Sequence, residues 1–224
     1  MSKITFFCAV IAALCIVSCG GLPARRSLPA HGGIPAQRPE STAQAERVGP
    51  EITERLLPLP PEDIMGTGQI PQEKLIYFML QKNPQLDPDF VENLTAYYIE
   101  EAAEEGVNYE TAFAQMCLET GYLSYGGLVT PDMNNFCGLG ATGPGQNGEI
   151  FPEPRIGVRA HIQHLKAYAT AEPLNGELVD PRYRWVRYGS APTIHGLAGT
   201  WAVDLQYGSK INKILEKLYD FSFE

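Results

Sequence analysis

The sequence is short of positive charge, of cysteine and of long apolar runs. Its 17 Lys and Arg residues are outnumbered by 26 Asp and Glu residues, which gives a formal net charge of −9 at pH 7. A nucleic-acid-binding protein needs a basic surface to meet the phosphates, so this balance argues against a nucleic-acid partner. The apolar run at residues 6–17 would form a helix of roughly 18 Å, too short for the ~30 Å hydrocarbon core of a membrane.

The few cysteines and histidines form no metal-ligand motif. The sequence contains no C-x-x-C pair and no H-E-x-x-H. His161 and His164 are three residues apart on a predicted helix and share one side of it, but no third ligand accompanies them. We therefore expect these histidines to pack inside the fold, and we predict that the protein binds no metal.

A glycine-rich stretch matches the pattern of a nucleotide-binding motif. Gly138 to Gly143 matches G-x-G-x-x-G, which binds dinucleotides only between a strand and a helix. Asn134 to Cys137 precede it and Pro144 follows it, so this context is missing. We predict tight turns with positive φ at these glycines, and no cofactor.

The N-terminus is typical of a secretory signal. Lys3 is the only charged residue among the first 24, and a short apolar run follows it. Ile16 to Gly20 resembles the bacterial lipobox, which implies cleavage before Cys19 and lipidation of its sulfur. An ordinary signal peptide that contains Cys19 is the alternative. We predict a signal peptide at 1–18 and a protein anchored by Cys19 in the membrane of a bacterial cell envelope, facing the periplasm or the exterior.

Two cysteines remain in the mature domain, Cys117 and Cys137. An exported protein can form a disulfide between them. Whether their Cα atoms lie within the ~7 Å that a disulfide needs is not visible in the sequence.

Residues 19–70 predict a tether, and residues 71–224 predict one domain. The first segment is rich in Pro, Ala and Gly and has no helical or strand period, which is typical of a semi-extended linker. Part of it is more apolar than a spacer requires, which favours contact with the domain surface. These apolar residues are Ile52, Leu56, Leu57, Leu59, Ile64 and Met65.

Helical patterns dominate the domain, and we predict a compact, mainly α fold. Helices are expected from Pro71, over Pro88–Glu105, from Asn108 to Gly121, over Arg155–Ala169, and as short segments over Pro192–Ala198 and Tyr207–Tyr219. A Gly-rich loop is expected over 126–148, with a small hairpin near Ile150 and Phe151. The glutamates at 100, 101, 104 and 105 predict a solvated helix face.

Glu119 is the carboxylate that the sequence singles out. It lies in the last turn of an apolar helix, directly before Thr120 and Gly121. The partial negative charge of a helix C-terminus and desolvation by apolar neighbours both raise a carboxyl pKa, as a general acid requires. The alternative is a glutamate that extends into solvent at a fraying helix end.

Four segments resemble, in order, the motifs of one enzyme family. Glu119 to Tyr122 resembles a Glu-Ser-Gly-Trp segment, and Asn134 to Leu139 resembles an Asn-Asn-Phe-Gly stretch. Phe151 to Tyr168 resembles a segment in which an aromatic residue precedes a helix. Leu197 to Tyr207 is similar to a closing Tyr-Ala-Thr-Asp-Pro-x-Tyr block. Together they resemble the glucosaminidase domain of glycoside hydrolase family 73, in the lysozyme-like superfamily, over about Leu86 to Tyr219.

The resemblance implies a lysozyme-like α+β fold and cleavage of the β-1,4 bond after N-acetylglucosamine in peptidoglycan glycan strands, with Glu119 as the general acid. The chain departs from the pattern at Thr120, where Ser is usual, and at Trp201, where many members have Tyr. The second carboxylate is open: Glu149 is the nearest candidate, with Asp132 and Glu153 behind it. Glu149 would activate water and give inversion, or the 2-acetamido carbonyl of the substrate would attack instead.

An acidic protein must recognise an anionic cell wall by stacking and hydrogen bonding, not by bulk charge. Candidate substrate contacts are Tyr122, Asn135, Phe136, Tyr188 and Trp201, and core packing is an equal expectation for each. We expect a monomer. The alternative functions are a non-catalytic peptidoglycan-binding lipoprotein, a lytic transglycosylase or muramidase, and an endoglycosidase that acts on N-glycans.

Overall fold

A computed structural model describes residues 57–143 and 145–223. The α-helices are α1 (Gln72–Lys82), α2 (Pro88–Glu105), α3 (Tyr109–Thr120), α4 (Pro154–Ala169) and α5 (Tyr207–Phe223). Two short antiparallel strands, β1 (Ala141–Gly143) and β2 (Gln146–Asn147), form a hairpin. Three 3-10 turns lie at Pro131–Met133, Tyr183–Trp185 and Ile194–Leu197. The predicted mainly α fold is confirmed for the described part of the chain.

Helix α3 is the central helix, and its ends are set by its sequence. The Asn108 side chain accepts hydrogen bonds from the backbone N–H groups of Glu110 and Thr111, which caps the first turn. Gly121 ends the helix in the left-handed region, with φ 58°. Helices α2, α4 and α5 pack around α3 and leave nearly all of its side chains buried. This burial fixes the last turn of α3, where Glu119 lies.

The predicted domain boundary at residue 71 is too late in the chain. Ile64 and Ile70 are fully buried in the core. The N–H of Ile64 donates to the Pro192 carbonyl at 2.9 Å, and the Asn108 N–H donates to the Ile64 carbonyl at 2.8 Å. Ile64 and Ile70 therefore belong to the domain, whereas Leu57 and Leu59 in the same segment are exposed. The predicted signal peptide, Cys19 and residues 19–56 of the tether lie outside the described residues.

The predicted solvated glutamate face is wrong for two of its four members. Glu101 and Glu105 are only 2% and 3% exposed. Glu101 accepts hydrogen bonds from Arg155 and Arg159, each at 2.6 Å, and Glu105 pairs with Lys166 at 2.8 Å. The cationic partners come from α4, so the sequence of α2, which carries the glutamates, does not by itself indicate these ion pairs.

The hairpin differs from expectation, and the two cysteines, whose pairing the sequence left open, are not bonded to each other. The strands lie before Ile150 and Phe151, and Phe151 is instead buried, with its N–H bonded to the Met133 carbonyl at 2.9 Å. Cys117 and Cys137 are both buried free thiols, not a disulfide. Burial raises the pKa of each thiol, which keeps both protonated. No helix in the described residues is long and apolar enough to cross a membrane.

Candidate active site

Glu119 lies where two hollows of the surface meet. The first hollow has a volume of about 300 Å³ and the second about 290 Å³. Both are lined by Glu119, Gly138 and Ala141. The Glu119 side chain is open to solvent through this cleft and surrounded by protein on its other sides. An extended ligand lying across both hollows would pass directly over the carboxyl group.

Tyr207, at the start of α5, contacts Glu119 from the buried side of the carboxyl group. Its hydroxyl donates a hydrogen bond to Glu119 Oε1, and the Gln115 amide donates to the same hydroxyl at 2.8 Å. Tyr207 and Gln115 are both buried. The carboxyl group is therefore held by a neighbouring helix and does not extend freely from a fraying helix end.

The environment raises the pKa of Glu119. Desolvation by the surrounding protein is the largest cause, and hydrogen bonding to Tyr207 and Trp201 opposes it in part. The direction is the one expected from the sequence. A carboxyl group with a raised pKa retains a proton closer to neutral pH, as proton donation to a leaving group requires.

The loop at residues 134–140 forms one wall of the cleft, and the Asn135 side chain holds it. Asn135 Nδ2 donates to the carbonyls of Leu139 and Glu149 at 2.9 and 3.0 Å, and its Oδ1 accepts from the Leu139 N–H at 2.9 Å. Helix α4 packs directly beneath the loop at Gly157, where a Cβ atom would lie 1.8 Å from the Asn134 carbonyl oxygen. Only glycine permits this approach. Gly138, with φ 68°, lies beside Glu119 Oε2.

Aromatic rings also line the first hollow. The Trp201 ring lies 5.1 Å from that of His164 and 5.6 Å from that of Tyr168. His164 Nδ1 lies 2.7 Å from Asp180 Oδ2, which fixes its ring. Arg182 is the cation among the described residues that line this hollow. The hollow thus offers flat apolar faces beside polar groups, the combination that suits sugar rings.

Comparison with known proteins decides the family. Residues 95–220 match the model of the Glucosaminidase family, described as mannosyl-glycoprotein endo-beta-N-acetylglucosaminidase. The chain belongs to the Glucosaminidase family. It is 43% identical over 159 residues to an uncharacterized protein of Borreliella burgdorferi, across 71% of this chain and 78% of the relative. A crystal structure of S. aureus autolysin E in complex with the muropeptide NAM-L-Ala-D-iGlu is similar over 71% of each chain, at 15% identity and a TM-score of 0.44.

Two of the predicted substrate contacts in this glucosaminidase chain line the hollows at Glu119. Trp201 lines the first hollow and Asn135 lines the second. Asn135 is nevertheless fully buried, with its side-chain hydrogen bonds made to the loop backbone, so its role is structural.

The other three predicted contacts lie outside both hollows. Phe136 is 1% exposed and packs in the main core. Tyr122 packs against Phe78, with 6.2 Å between ring centroids. Tyr188 is exposed and lies 5.1 Å from Tyr183, ring to ring. These positions do not support their prediction as substrate contacts. The rings of Tyr122 and Phe136 pack against other side chains, and Tyr188 lines neither hollow.

Glu149 lies in a hollow next to the first one. That hollow shares Gly140 and Arg182 with the hollow at Glu119, and Arg182 lies 3.5 Å from Glu149 Oε1. The runners-up Asp132 and Glu153 are exposed and line neither hollow at Glu119. Among the described ranges, no three His, Cys, Asp or Glu side chains converge to hold a metal ion.

Sequence reasoning missed Tyr207 as a site residue. It is the last residue of the closing motif, so the family pattern contained the signal. Arg182 was missed as well, because it belongs to none of the four motifs. His164 and Tyr168 lie in the motif segment that ends at Tyr168, but that resemblance does not indicate which of its side chains line the cleft.

Proposed function

We propose that the protein is a glycoside hydrolase that cleaves the β-1,4 bond after N-acetylglucosamine in peptidoglycan, with Glu119 as general acid. One observation carries the proposal: a carboxyl group with a raised pKa lies at the meeting point of two hollows. Membership of the Glucosaminidase family supports an N-acetylglucosaminide substrate.

Sugar units on the two sides of the scissile bond would occupy the two hollows. Glu119 then donates its proton to the bridging oxygen, which leaves on the sugar in one hollow while positive charge develops on the ring in the other. The Trp201 and Tyr168 rings supply flat surfaces in the first hollow. Hydrogen bonding to Tyr207 stabilises the Glu119 carboxylate that remains after proton donation.

The group that acts on the anomeric carbon has two candidates. Glu149 would activate a water molecule and give inversion, or the 2-acetamido carbonyl of the substrate would attack. The position of Glu149, next to Arg182 and outside both hollows at Glu119, favours the acetamido route. We therefore expect Glu149→Gln to keep activity within about tenfold of wild type, whereas a general base would cost roughly 100-fold or more.

We also propose that the protein is a monomer in a bacterial cell envelope, anchored by a lipid on Cys19. The support is the resemblance of Ile16 to Gly20 to a lipobox, which lies outside the described residues. Mass spectrometry of the mature protein expressed in a bacterial host tests it. The expected N-terminus is a diacylated Cys19, and a Cys19→Ser variant should be released from membranes.

Mass spectrometry of the fragments released from purified peptidoglycan tests the proposed cut. Reducing N-acetylglucosamine ends are the expected product. Anhydro-muramic ends would indicate lytic transglycosylase chemistry, and reducing muramic ends would indicate a muramidase. Binding to sacculi without release of fragments would indicate a non-catalytic protein. Release of glycans from an N-glycoprotein, with peptidoglycan left intact, would indicate an N-glycan endoglycosidase.

A further inference from the structure

A buried row of hydrogen-bonded side chains extends from Glu119 into the core. Tyr207 bonds to Glu119 Oε1, and Gln115 Nε2 lies 2.8 Å from the Tyr207 hydroxyl. Gln115 Oε1 lies 2.9 Å from His161 Nε2, and His161 Nδ1 lies 3.0 Å from the Tyr98 hydroxyl. Gln115, His161 and Tyr98 are fully buried. The four helices α2, α3, α4 and α5 each contribute to this row.

The chemistry of the groups gives the row a single direction. The Tyr207 hydroxyl has one hydrogen, which goes to Glu119, so its oxygen accepts from the Gln115 NH2 group. The Gln115 carbonyl oxygen must then face His161 and accept a hydrogen from Nε2. A neutral histidine with its proton on Nε2 can only accept at Nδ1, and Tyr98 supplies that hydrogen. Each group therefore donates toward Glu119.

His161 stays neutral in this setting. Desolvation by burial, with a smaller effect from nearby His164, lowers its pKa to about 3. The groups that face the His161 ring are Tyr98 on α2, Gln115 on α3, His164 on α4, and Trp201. No carboxylate is among these neighbours, so nothing on them favours the imidazolium form. The row therefore keeps its direction at pH values above the lowered pKa of His161.

We propose that Tyr98, His161 and Gln115 are positioning residues for Glu119, because they direct the Tyr207 hydrogen onto Oε1 and leave Oε2 to hold the transferable proton. Oε2 lies on the side of Gly138, which lines both hollows, so the proton on it faces the cleft. The role in proton transfer rests on the proposed function; the fixed direction of the row does not.

Loss of the hydrogen-bond donor at His161 should remove the fixed direction of the hydrogen bonds in the row. Without a hydrogen from Nε2, the Gln115 amide can rotate and present its oxygen to Tyr207. The Tyr207 hydrogen then bonds to Gln115, and Glu119 loses a hydrogen bond that stabilises its charged form. The pKa of Glu119 rises further, and the carboxyl group loses its fixed orientation.

The other titratable groups near Glu119 keep their side chains in variants at His161 and Gln115. They are Tyr207 on α5, Cys137 in the 134–140 loop, His164 and Tyr168 on α4, Arg182 in the first hollow, and Tyr125 in the second. A shift in the pH profile on substitution of His161 or Gln115 therefore reports on the row.

The direct test is nitrogen-15 NMR of His161 in the full-length protein. The expected signature is a neutral ring with its proton on Nε2 across about pH 5 to 8, in which an ordinary histidine titrates. The signal is assigned by its loss in His161→Gln. A proton on Nδ1, or titration in this range, overturns the proposal. Because this readout needs no substrate, its outcome is independent of whether the protein cleaves peptidoglycan.

The kinetic test compares His161→Phe with wild type on peptidoglycan. We expect kcat to fall roughly 10-fold or more, with KM within about twofold and the basic limb of the kcat profile moved to higher pH. Phe113→Leu is the control, since Phe113 packs edge-on against Tyr98 without joining the row. The Phe113→Leu variant should have a lower Tm, and the basic limb of its kcat profile should stay at the wild-type pH.

Gln115→Met gives a second variant in case His161→Phe does not fold. Methionine matches glutamine in length and removes both hydrogen bonds, so the same shift in the same direction is expected. An unmoved basic limb in both variants, or an equal shift in Phe113→Leu, would show that the row serves stability alone.

Discussion

The Tyr207 hydroxyl donates a hydrogen bond to Glu119 Oε1 and joins the start of α5 to the last turn of α3. The two residues are 88 positions apart in the sequence. This contact opposes the effect of desolvation on the pKa of Glu119. It therefore fixes both the place of the carboxyl group and the pH at which that group gives up its proton.

Tyr207→Phe should raise the pKa of Glu119, because a hydrogen bond to a carboxylate favours the charged form and its loss favours the neutral form. The basic limb of the kcat/KM profile then moves to higher pH. At the pH optimum, kcat should fall roughly 10- to 100-fold, since a hydrogen bond to a charged group is worth about 1.5–3 kcal/mol. Steady-state rates over a pH series measure both effects. A limb that moves to lower pH would contradict the assignment.

Trp201→Ala should weaken glycan binding, because it removes the ring that packs beside His164 and Tyr168 in the first hollow. We expect KM for soluble peptidoglycan fragments to rise roughly tenfold, which corresponds to about 1.4 kcal/mol. Trp201→Tyr should retain most of the affinity. The matched control is Tyr188→Ala, an exposed aromatic residue outside both hollows, which should leave KM unchanged. Equal effects at both positions would argue against stacking in the first hollow.

Lys166→Met should lower the free energy of unfolding by about 3 kcal/mol, because it leaves the Glu105 carboxylate buried without its cation. Urea denaturation measures this difference. Lys210→Met is the control: Lys210 pairs with Asp204 at 2.6 Å on the exposed surface, and such pairs contribute less than about 1 kcal/mol. A cost at Lys166 no greater than at Lys210 would contradict the buried pair.

Stability should fall on the acid side of pH 4.5. Burial alone would raise the pKa of Glu101 and Glu105, but hydrogen bonds from Arg159, Arg155 and Lys166 outweigh it and lower both from the usual 4.5. The lowered values mean that the two carboxylates contribute fully above about pH 4.5, and that this contribution is lost as the pH falls through the folded-state pKa values. Calorimetric Tm against pH checks this. Glu101→Gln should show a lower Tm near neutrality and a shallower acid decline.

Local signals in the sequence predicted the helices well. The Asn108 cap and the stop at Gly121 are short-range chemistry, and α3 begins and ends where these residues predict. The prediction of a mainly α fold followed from the same short-range patterns. The position of Glu119 in the last turn of α3 also came from local sequence.

The rest depended on contacts between distant segments. Glu101 is buried because α4 brings Arg155 and Arg159 to it, from 54 and 58 residues away. The Asn135 and Phe136 pair was found as a motif, but motif membership does not show whether a side chain faces substrate or core. The hairpin lies earlier in the sequence than predicted. Its position was missed because its strands are only three and two residues long, too short to show an alternating pattern.

Glu119→Gln tests the central claim most directly. Release of reducing ends from purified peptidoglycan is measured by mass spectrometry for this variant, for wild type and for Glu153→Gln, an exposed carboxylate outside both hollows. With Tm unchanged, we expect Glu119→Gln to lose about a thousandfold in rate and Glu153→Gln to match wild type. Release by Glu119→Gln at the wild-type rate would contradict its role as the general acid.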